Sequence, residues 1–391
     1  MSSIRHRMIW RILRFPARII FKIIFNYSYE QTPKIDGPFL LIANHVTDMD
    51  PLMIGCSFKQ QMYFVASEHL FRKGLFTKLM VWLVAPIARI KGSTDTVSAM
   101  NIIRAVKQKS NVGLFAEGDR SWNGLTGRLH PTTGRLVKAS RAALVTFRLT
   151  GGYLSSPRWS KRLRRGRMHG KMVNVYTPGQ LQKMTAKEIT EAINADVFVD
   201  AYEAQRSEKI PYRGKELASG LENALYACPA CQTVCRLKSR GEFFSCACGL
   251  EVKYNEYGFF EGDNPPFGTV AEWDVWQEEF LRWYAYSTGD EPIYEDPCQS
   301  LWLIGTNHSE KLISEGSLRL FKDRLELGSF IVPLDKLYQM SVYGAATIVF
   351  SAEGMNYEIK SEIMRSGRKY LTMLGILTSA LCYGGKASTA H

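Results

Sequence analysis

The chain contains no run of about 18 or more uninterrupted apolar residues, so a conventional single-pass membrane span is not expected. A signal-peptide build is lacking too, because Arg18 and Lys22 interrupt the first apolar region and no small-residue cleavage site follows. Acids are scarce at the start, the first being Glu30. Internal repeats and low-complexity tracts are absent from the sequence, which argues against a repeat array.

What the chain has in excess is base. Fifty Lys and Arg stand against 37 Asp and Glu, a net charge of +13, and the isoelectric point is near 9.3. Such a balance points to an anionic partner, whether phospholipid, nucleic acid or a phosphorylated substrate. At 391 residues and 46% hydrophobic, the chain can fold into roughly two or three domains with separate cores. Of its eight cysteines, five fall between Cys228 and Cys248. That crowding suits metal ligation in a reducing compartment better than a secreted disulfide framework.

The first segment, "RHRMIWRILRFPARIIFKIIF", can be tested as a helix at about 100° per residue. Arg7, Arg11, Arg14, Arg18 and Lys22 then share one face, with Ile9, Ile12, Leu13, Ile20 and Ile23 opposite. Pro16 predicts a break, hence two short amphipathic pieces. A cationic stripe beside an Ile and Leu face is the composition of a helix lying in a membrane interface. A solvated face packed on its own domain would ordinarily mix in acids.

From residue 38 the chain alternates. "GPFLLIAN", "QMYFVA", "PIARI" and "NVGLFAE" read as strands, and "LFTKLMVWLVA" and "TVSAMNIIRAVKQ" as helices, which predicts a layered α/β core with its working loops at strand ends. The first such end carries "NHVTDMDPL". Asp50 before Pro51 is how many helices begin, but His45 five positions earlier offers a second reading, a base and its orienting carboxylate. Another strand end carries "FAEGDRSWNG", where Gly118 frees the backbone and Arg120 supplies a guanidinium fork suited to phosphate; Arg89 of "PIARI" adds a cation. A histidine can take a hydroxyl proton as attack begins while a carboxylate holds its tautomer. Arginines can hold the phosphate of an alcohol acceptor so that its hydroxyl meets the base.

These motifs resemble those of the glycerolipid acyltransferases, the family that includes lysophosphatidate acyltransferase. "NHVTDMD" is similar to their N-H-x4-D motif and "FAEGDRS" to their F-P-E-G-T-R-S block. "PIARI" resembles the arginine-bearing block between them. The likeness runs from about residue 30 to about 210, and E-G-x-R-S some 67 residues after H-x4-D is far more specific than either alone. It implies His45 as general base and Asp50 as its partner. Glu117, Gly118 and Arg120 would form the acceptor-binding block, assisted by Arg89. It also implies an acyl thioester donor, acyl-CoA or acyl carrier protein, and direct transfer to a lysophospholipid.

Two positions depart from the family pattern. Ala116 replaces a proline, a small change. Asp119 replaces a threonine. A carboxylate about 5 Å from a phosphate costs on the order of 3 kcal/mol at an effective dielectric of about 20. Asp119 is therefore expected either to turn away, pairing with Arg120 or Arg128, or to signal a different or broader acceptor. Beyond the core, "RWSKRLRRGRMHGK" holds seven Lys and Arg and no acid, reading equally as a solvated loop or as a contact for anionic lipid or donor phosphates. "MTAKEITEAINADVFVDAYEAQR" predicts a helix with Thr185 and Glu188 as a capping box, closing the first domain.

"CPACQTVCRLKSRGEFFSCACGLEVKYNEYGFF" resembles a zinc ribbon: a C-x2-C turn, a basic hairpin, then a second pair spaced C-x-C and followed by glycine. Cys228, Cys231, Cys246 and Cys248 are the expected ligands of a structural zinc, with Cys235 a fifth candidate; four sulfurs leave no open position for catalysis. The Trp273, Trp276, Phe280 and Trp283 spacing predicts a helix with an aromatic core stripe. Short alternating segments breaking at Lys322, Gly328 and Gly354 predict antiparallel strands, closed by a helix from about Arg368 to Cys382. In architecture this looks like a pleckstrin-homology type of module.

The expected organisation is α/β throughout the core. Residues 1–30 form amphipathic interface helices, 31–215 the acyltransferase domain, 216–262 the zinc ribbon, and 263–391 an aromatic helix with a β-rich domain. The expected protein is a peripheral or monotopic O-acyltransferase at the cytoplasmic face of a membrane, with an anionic membrane surface, a lysophospholipid acceptor and an acyl donor as partners. The alternative is a decayed acyltransferase-like core whose zinc ribbon binds nucleic acid or serves as a scaffold. Nucleic acid is the less expected partner, since the basic residues cluster outside the ribbon.

Overall fold

The computed structural model describes residues 4–67, 75–89, 95–305, 309–363 and 365–384. The chain divides into two compact units, one of residues 1–158, 162–215 and 256–258, the other of residues 159–161, 216–255 and 259–391.

The first unit is built on a mixed sheet. In chain order its elements are α1 (Ile4–Phe25), β1 (Tyr27–Tyr29), β2 (Phe39–Ala43), α2 (Asp50–Ser57), β3 (Met62–Ser67), α3 (Leu75–Val84), β4 (Ile87–Arg89), α4 (Asp95–Lys107) and β5 (Asn111–Leu114). There follow α5 (Thr133–Ser140), β6 (Ala143–Thr150), α6 (Gly152–Ser155), β7 (Met168–Tyr176), α7 (Pro178–Lys183), α8 (Ala186–Val197) and α9 (Glu203–Glu208). The strand order is β1-β7-β6-β2-β5-β3-β4. Every pairing is parallel except β6 with β7.

Strand β2 shows why its sequence is an unbroken apolar run. Phe39, Leu41 and Ala43 enter one core with Phe21 and Phe25 of α1 and Met53 and Ile54 of α2. Leu40 and Ile42 enter another with Ile102 and Val106 of α4 and Ile189 and Ile193 of α8. Side chains alternate across a strand, so a strand covered on both faces has no polar position. Its neighbours are β5 and β6, with Leu41 level with Gly113 and Val145. The loops that leave β2 and β5 at their carboxyl ends are therefore adjacent, although the sequence between them is long.

Helix α1 is one continuous helix with Pro16 inside it, not two pieces. The reason lies in its packing. Trp10, Ala17, Phe21 and Phe25 are held in the core beside α2. Arg18 donates to the carbonyl of Cys56 at 2.9 Å. Gly55 lets the indole of Trp10 come so close that a Cβ there would lie 2.3 Å from the ring. Contact along both halves outweighs the hydrogen bond that proline removes.

The expected helix from Met184 to Arg206 is instead two. Its capping box is present, Thr185 Oγ1 accepting from Glu188 N and Glu188 Oε2 from Thr185 N. The helix stops at Val197 because the next residues pair with a loop. Thr126 N donates to Val199 O at 3.0 Å, Val199 N donates to Thr126 Oγ1 at 2.9 Å, and Ala201 N donates to Gly124 O at 3.0 Å. The bulky Val-Phe-Val run suits this extended pairing better than a helix.

The second unit begins with an antiparallel sheet of β8 (Leu237–Arg240), β9 (Phe243–Cys246), β10 (Glu251–Tyr254) and β11 (Phe260–Glu261). Helix α10 (Val270–Ser287) follows, its N-terminus closed by a Thr269 and Glu272 capping box. Trp273 is fully buried, Phe280 is core and Trp276 stacks on it at 5.2 Å, while Trp283 is exposed. Next come β12 (Tyr294–Ile304), β13 (Glu310–Leu320), β14 (Arg324–Leu327), β15 (Phe330–Pro333), β16 (Leu337–Tyr343), β17 (Thr347–Ala352) and β18 (Met355–Ser361), then α11 (Gly367–Gly384). These strands form one antiparallel sheet in the order β15-β14-β13-β12-β18-β17-β16. Within it the first strand pairs with the last. Helix α11 is joined to α10 by a buried fork in which both terminal nitrogens of Arg368 reach Asp274 at 2.7 Å.

Candidate active site

His45 leaves β2 on a tightly held loop. Asn44, fully buried, exchanges two hydrogen bonds with the backbone of Leu149 on β6, each 2.8 Å. Asp50 is also fully buried. Its Oδ2 accepts from His45 Nδ1 at 2.8 Å and from the backbone N–H groups of Val46 and Thr47 at 2.7 and 2.9 Å. Its Oδ1 accepts from the Thr47 hydroxyl at 2.6 Å. Four donors thus converge on one carboxylate and fix its orientation. Helix α2 has no side-chain cap, so the role of Asp50 is to hold the imidazole and the loop, not to begin a helix. With Nδ1 engaged, Nε2 is the nitrogen left for a reacting proton.

The imidazole lies on Phe115, ring centroids 4.3 Å apart and planes 17° from parallel. Behind it Glu117 bridges two loops, Oε1 accepting from His45 N and Oε2 from Gly127 N, each at 2.7 Å. Burial pushes the Glu117 carboxyl up to about 7, against the pull of those two backbone hydrogen bonds. A small cavity beside His45 is lined by Val46, Glu117, Gly124, Leu149 and Tyr153. Gly118 turns with φ +78°, a conformation that glycine adopts without strain. Two residues later Arg120 Nε lies 3.5 Å from Asp48 Oδ1, an exposed carboxylate on the His45 loop. The sheet thus brings His45, Asp50, Glu117, Gly118 and Arg120 together. Arg89 ends β4, level with Ser67 of β3, and its side chain lies outside the described residues.

Residues 24–150 match the family model described as Acyltransferase. The chain carries a domain of the acyltransferase family. Similar in structure is the 1-acyl-sn-glycerophosphate (LPA) acyltransferase PlsC from Thermotoga maritima, 17% identical, with a TM-score of 0.43, covering 50% of this chain and 80% of that one. No curated protein matches this chain.

The acyltransferase domain disposes of its unusual Asp119 by pairing it, and the partner is neither Arg120 nor Arg128. Asp119 Oδ2 meets Arg158 Nη1. The same Nη1 donates to the Arg120 carbonyl at 3.2 Å, and the guanidinium sits 4.2 Å from the Trp122 ring centroid. Arg158 opens the basic run, which is therefore not simply a solvated loop. Arg158 and Arg164 are buried, Arg167 pairs with Glu208, and Arg165 Nε donates to the Ile23 carbonyl of α1 at 3.0 Å. Sequence reasoning assigned no role to Phe115, Asn44 or Arg158, although Asn44 and Phe115 stand inside the two quoted motifs. For Arg158 the available signal was that an arginine among basic neighbours would need a carboxylate if it were buried, and Asp119 was a carboxylate in need of a cation.

In the second unit, the sulfurs of Cys228, Cys231, Cys246 and Cys248 all lie within 4.8 Å of one another. The Cys228–Cys248 and Cys231–Cys246 separations are 3.7 and 3.8 Å. Four sulfurs at about 2.3 Å from a tetrahedral zinc would be about 3.8 Å apart, so the cluster fits that ion. Cys235 stands apart from the four, its sulfur 3.3 Å from Lys369 Nζ.

Proposed function

We propose that the chain is an O-acyltransferase working at the cytoplasmic face of a membrane as a peripheral or monotopic protein. It moves a fatty acyl group from a thioester, acyl-CoA or acyl carrier protein, to a hydroxyl of a lysophospholipid such as 1-acylglycerol 3-phosphate or a related lipid. The observation that carries the reading is the His45 Nδ1 to Asp50 hydrogen bond of 2.8 Å, made by a carboxylate already fixed by three other donors.

His45 Nε2 takes the acceptor hydroxyl's proton as its oxygen attacks the thioester carbonyl, and Asp50 steadies the imidazolium that forms. The thiolate then leaves and the proton returns to it. No acyl-enzyme is needed. Arg120, with Arg89 assisting, holds the acceptor phosphate, while Glu117 fixes the backbone of His45 and Gly118 lets the loop come close. Cys228, Cys231, Cys246 and Cys248 would hold a structural zinc, which supplies folding energy and no chemistry of transfer.

Support for the membrane setting comes from α1. Among the described residues no helix is long and apolar enough to cross a bilayer. Yet α1 exposes Ile4, Met8, Ile12, Phe15, Ile20 and Ile23, an apolar face suited to lying in the interface. The test is incubation of the protein with labelled acyl-CoA, or acyl carrier protein thioester, and a panel of acceptors in anionic vesicles. Transfer to a lysophospholipid that disappears in His45→Ala supports the reading; equal product from both proteins removes it.

A further inference from the structure

We infer that Arg158 is a positioning residue for acceptor recognition, one that neutralises Asp119 and sets the loop on which Arg120 is presented. The inference rests on the acyltransferase reading and concerns a residue outside the sequence motifs that suggested it.

The loop after β5 carries both the cation that would hold an acceptor phosphate and, one residue before it, a carboxylate that would repel it. Asp119 is half exposed. Arg158 handles this from beneath. Its side chain is 3% exposed and touches the loop at three successive points: the Asp119 carboxylate, the Arg120 carbonyl and the Trp122 ring. Asp119 Oδ1 in turn accepts from the Arg120 backbone N–H at 3.2 Å. One planar guanidinium thus fixes the peptide on both sides of the Arg120 side chain. That side chain points toward Asp48 on the His45 loop. A lysine keeps the charge but offers neither the fork nor a flat face for the indole. The pair therefore substitutes for a neutral residue at position 119: the acid is present, its field is cancelled locally, and the acceptor meets Arg120.

The consequence is selective for charge. Arg158→Gln unmasks Asp119 and loosens the loop, and should raise KM for lysophosphatidate about tenfold or more. KM for the acyl donor and for a neutral monoacylglycerol acceptor should stay within about twofold. Adding Asp119→Asn to that variant removes the unmasked charge and should restore most of the KM. Arg158→Lys should fall between. A residue that only supports the fold would depress kcat for every acceptor alike, with no rescue by Asp119→Asn, and that result overturns the inference. Hydrogen–deuterium exchange of the peptide spanning 116–124 gives a readout independent of activity: exchange should quicken in Arg158→Gln, and unchanged exchange overturns the inference. If the wild-type protein transfers to no acceptor, the functional reading fails while the exchange experiment still decides whether Arg158 sets the loop.

Discussion

His45 and Glu117 lie on neighbouring strand ends, and the backbone N–H of His45 donates to Glu117 Oε1 at 2.7 Å while its ring donates to Asp50 at 2.8 Å. The catalytic candidate is thus held twice, by its side chain from its own loop and by its main chain from the next.

Asp50→Asn should lower the rate of transfer by about 10²–10⁴, the range over which positioned acid–base groups act. The amide would present N–H to donors at Val46, Thr47 or His45. Initial rates at saturating acceptor check this, and thermal unfolding should show a loss of stability as well, since the carboxylate accepts four hydrogen bonds in a fully buried position.

Glu117 makes two opposite predictions about pH. Its folded carboxyl is raised to about 7 from an ordinary 4.5. Between those values the folded chain holds a proton that the unfolded chain has released, so the Glu117 contribution to stability falls as pH rises through that window. Activity should move the other way, because the ionised carboxylate is the stronger acceptor for both His45 N and Gly127 N and so holds the His45 loop more firmly. Glu117→Gln should flatten this part of both profiles, measured by unfolding midpoints and by rate against pH. An unchanged slope in the variant would show that Glu117 does not titrate there.

Purified protein should contain about one zinc per chain. Cys228→Ser or Cys246→Ser should lose it, and Cys235→Ser should keep it, since that sulfur faces Lys369 and not the cluster. Metal analysis decides this. Chelation should also lower the unfolding temperature of the intact chain, because structural zinc contributes directly to folding.

Ile12 and Ile20 are 66% and 49% exposed, so replacing both with aspartate should leave the fold intact. Each apolar side chain buried in a bilayer is worth roughly 1.5–3 kcal/mol, and the double variant should bind anionic liposomes about a hundredfold more weakly or less tightly still. Co-sedimentation measures this; undiminished binding would place the membrane contact elsewhere.

Much of this was legible in residue order alone. The strand and helix alternation from residue 38 and the order of the motifs followed from periodicity and residue type, because β2 has no polar position and the functional side chains sit at strand ends. The four cysteines could be chosen from spacing, and the cluster contains those four. What could not be read was tertiary compensation. Pro16 is a helix breaker by propensity, and only the contacts of Trp10 and Phe21 with the core explain its presence in a continuous helix. The partner of Asp119 lies 39 positions away, in a basic run that read equally as a solvated loop or as a contact for anionic phosphates. The break after Val197 depends on a loop some 70 residues earlier.

The place of β5 between β2 and β3 also bears on how the chain acquires competence. A nascent polypeptide halted before residue 111 could form the His45 and Asp50 loop, but the imidazole would have no aromatic floor and its main chain no distant anchor. β5 pairs with β2 across some 70 residues, a pairing of high sequence separation that forms slowly. The surroundings of the imidazole are therefore completed only when β5 is in place, by topology alone.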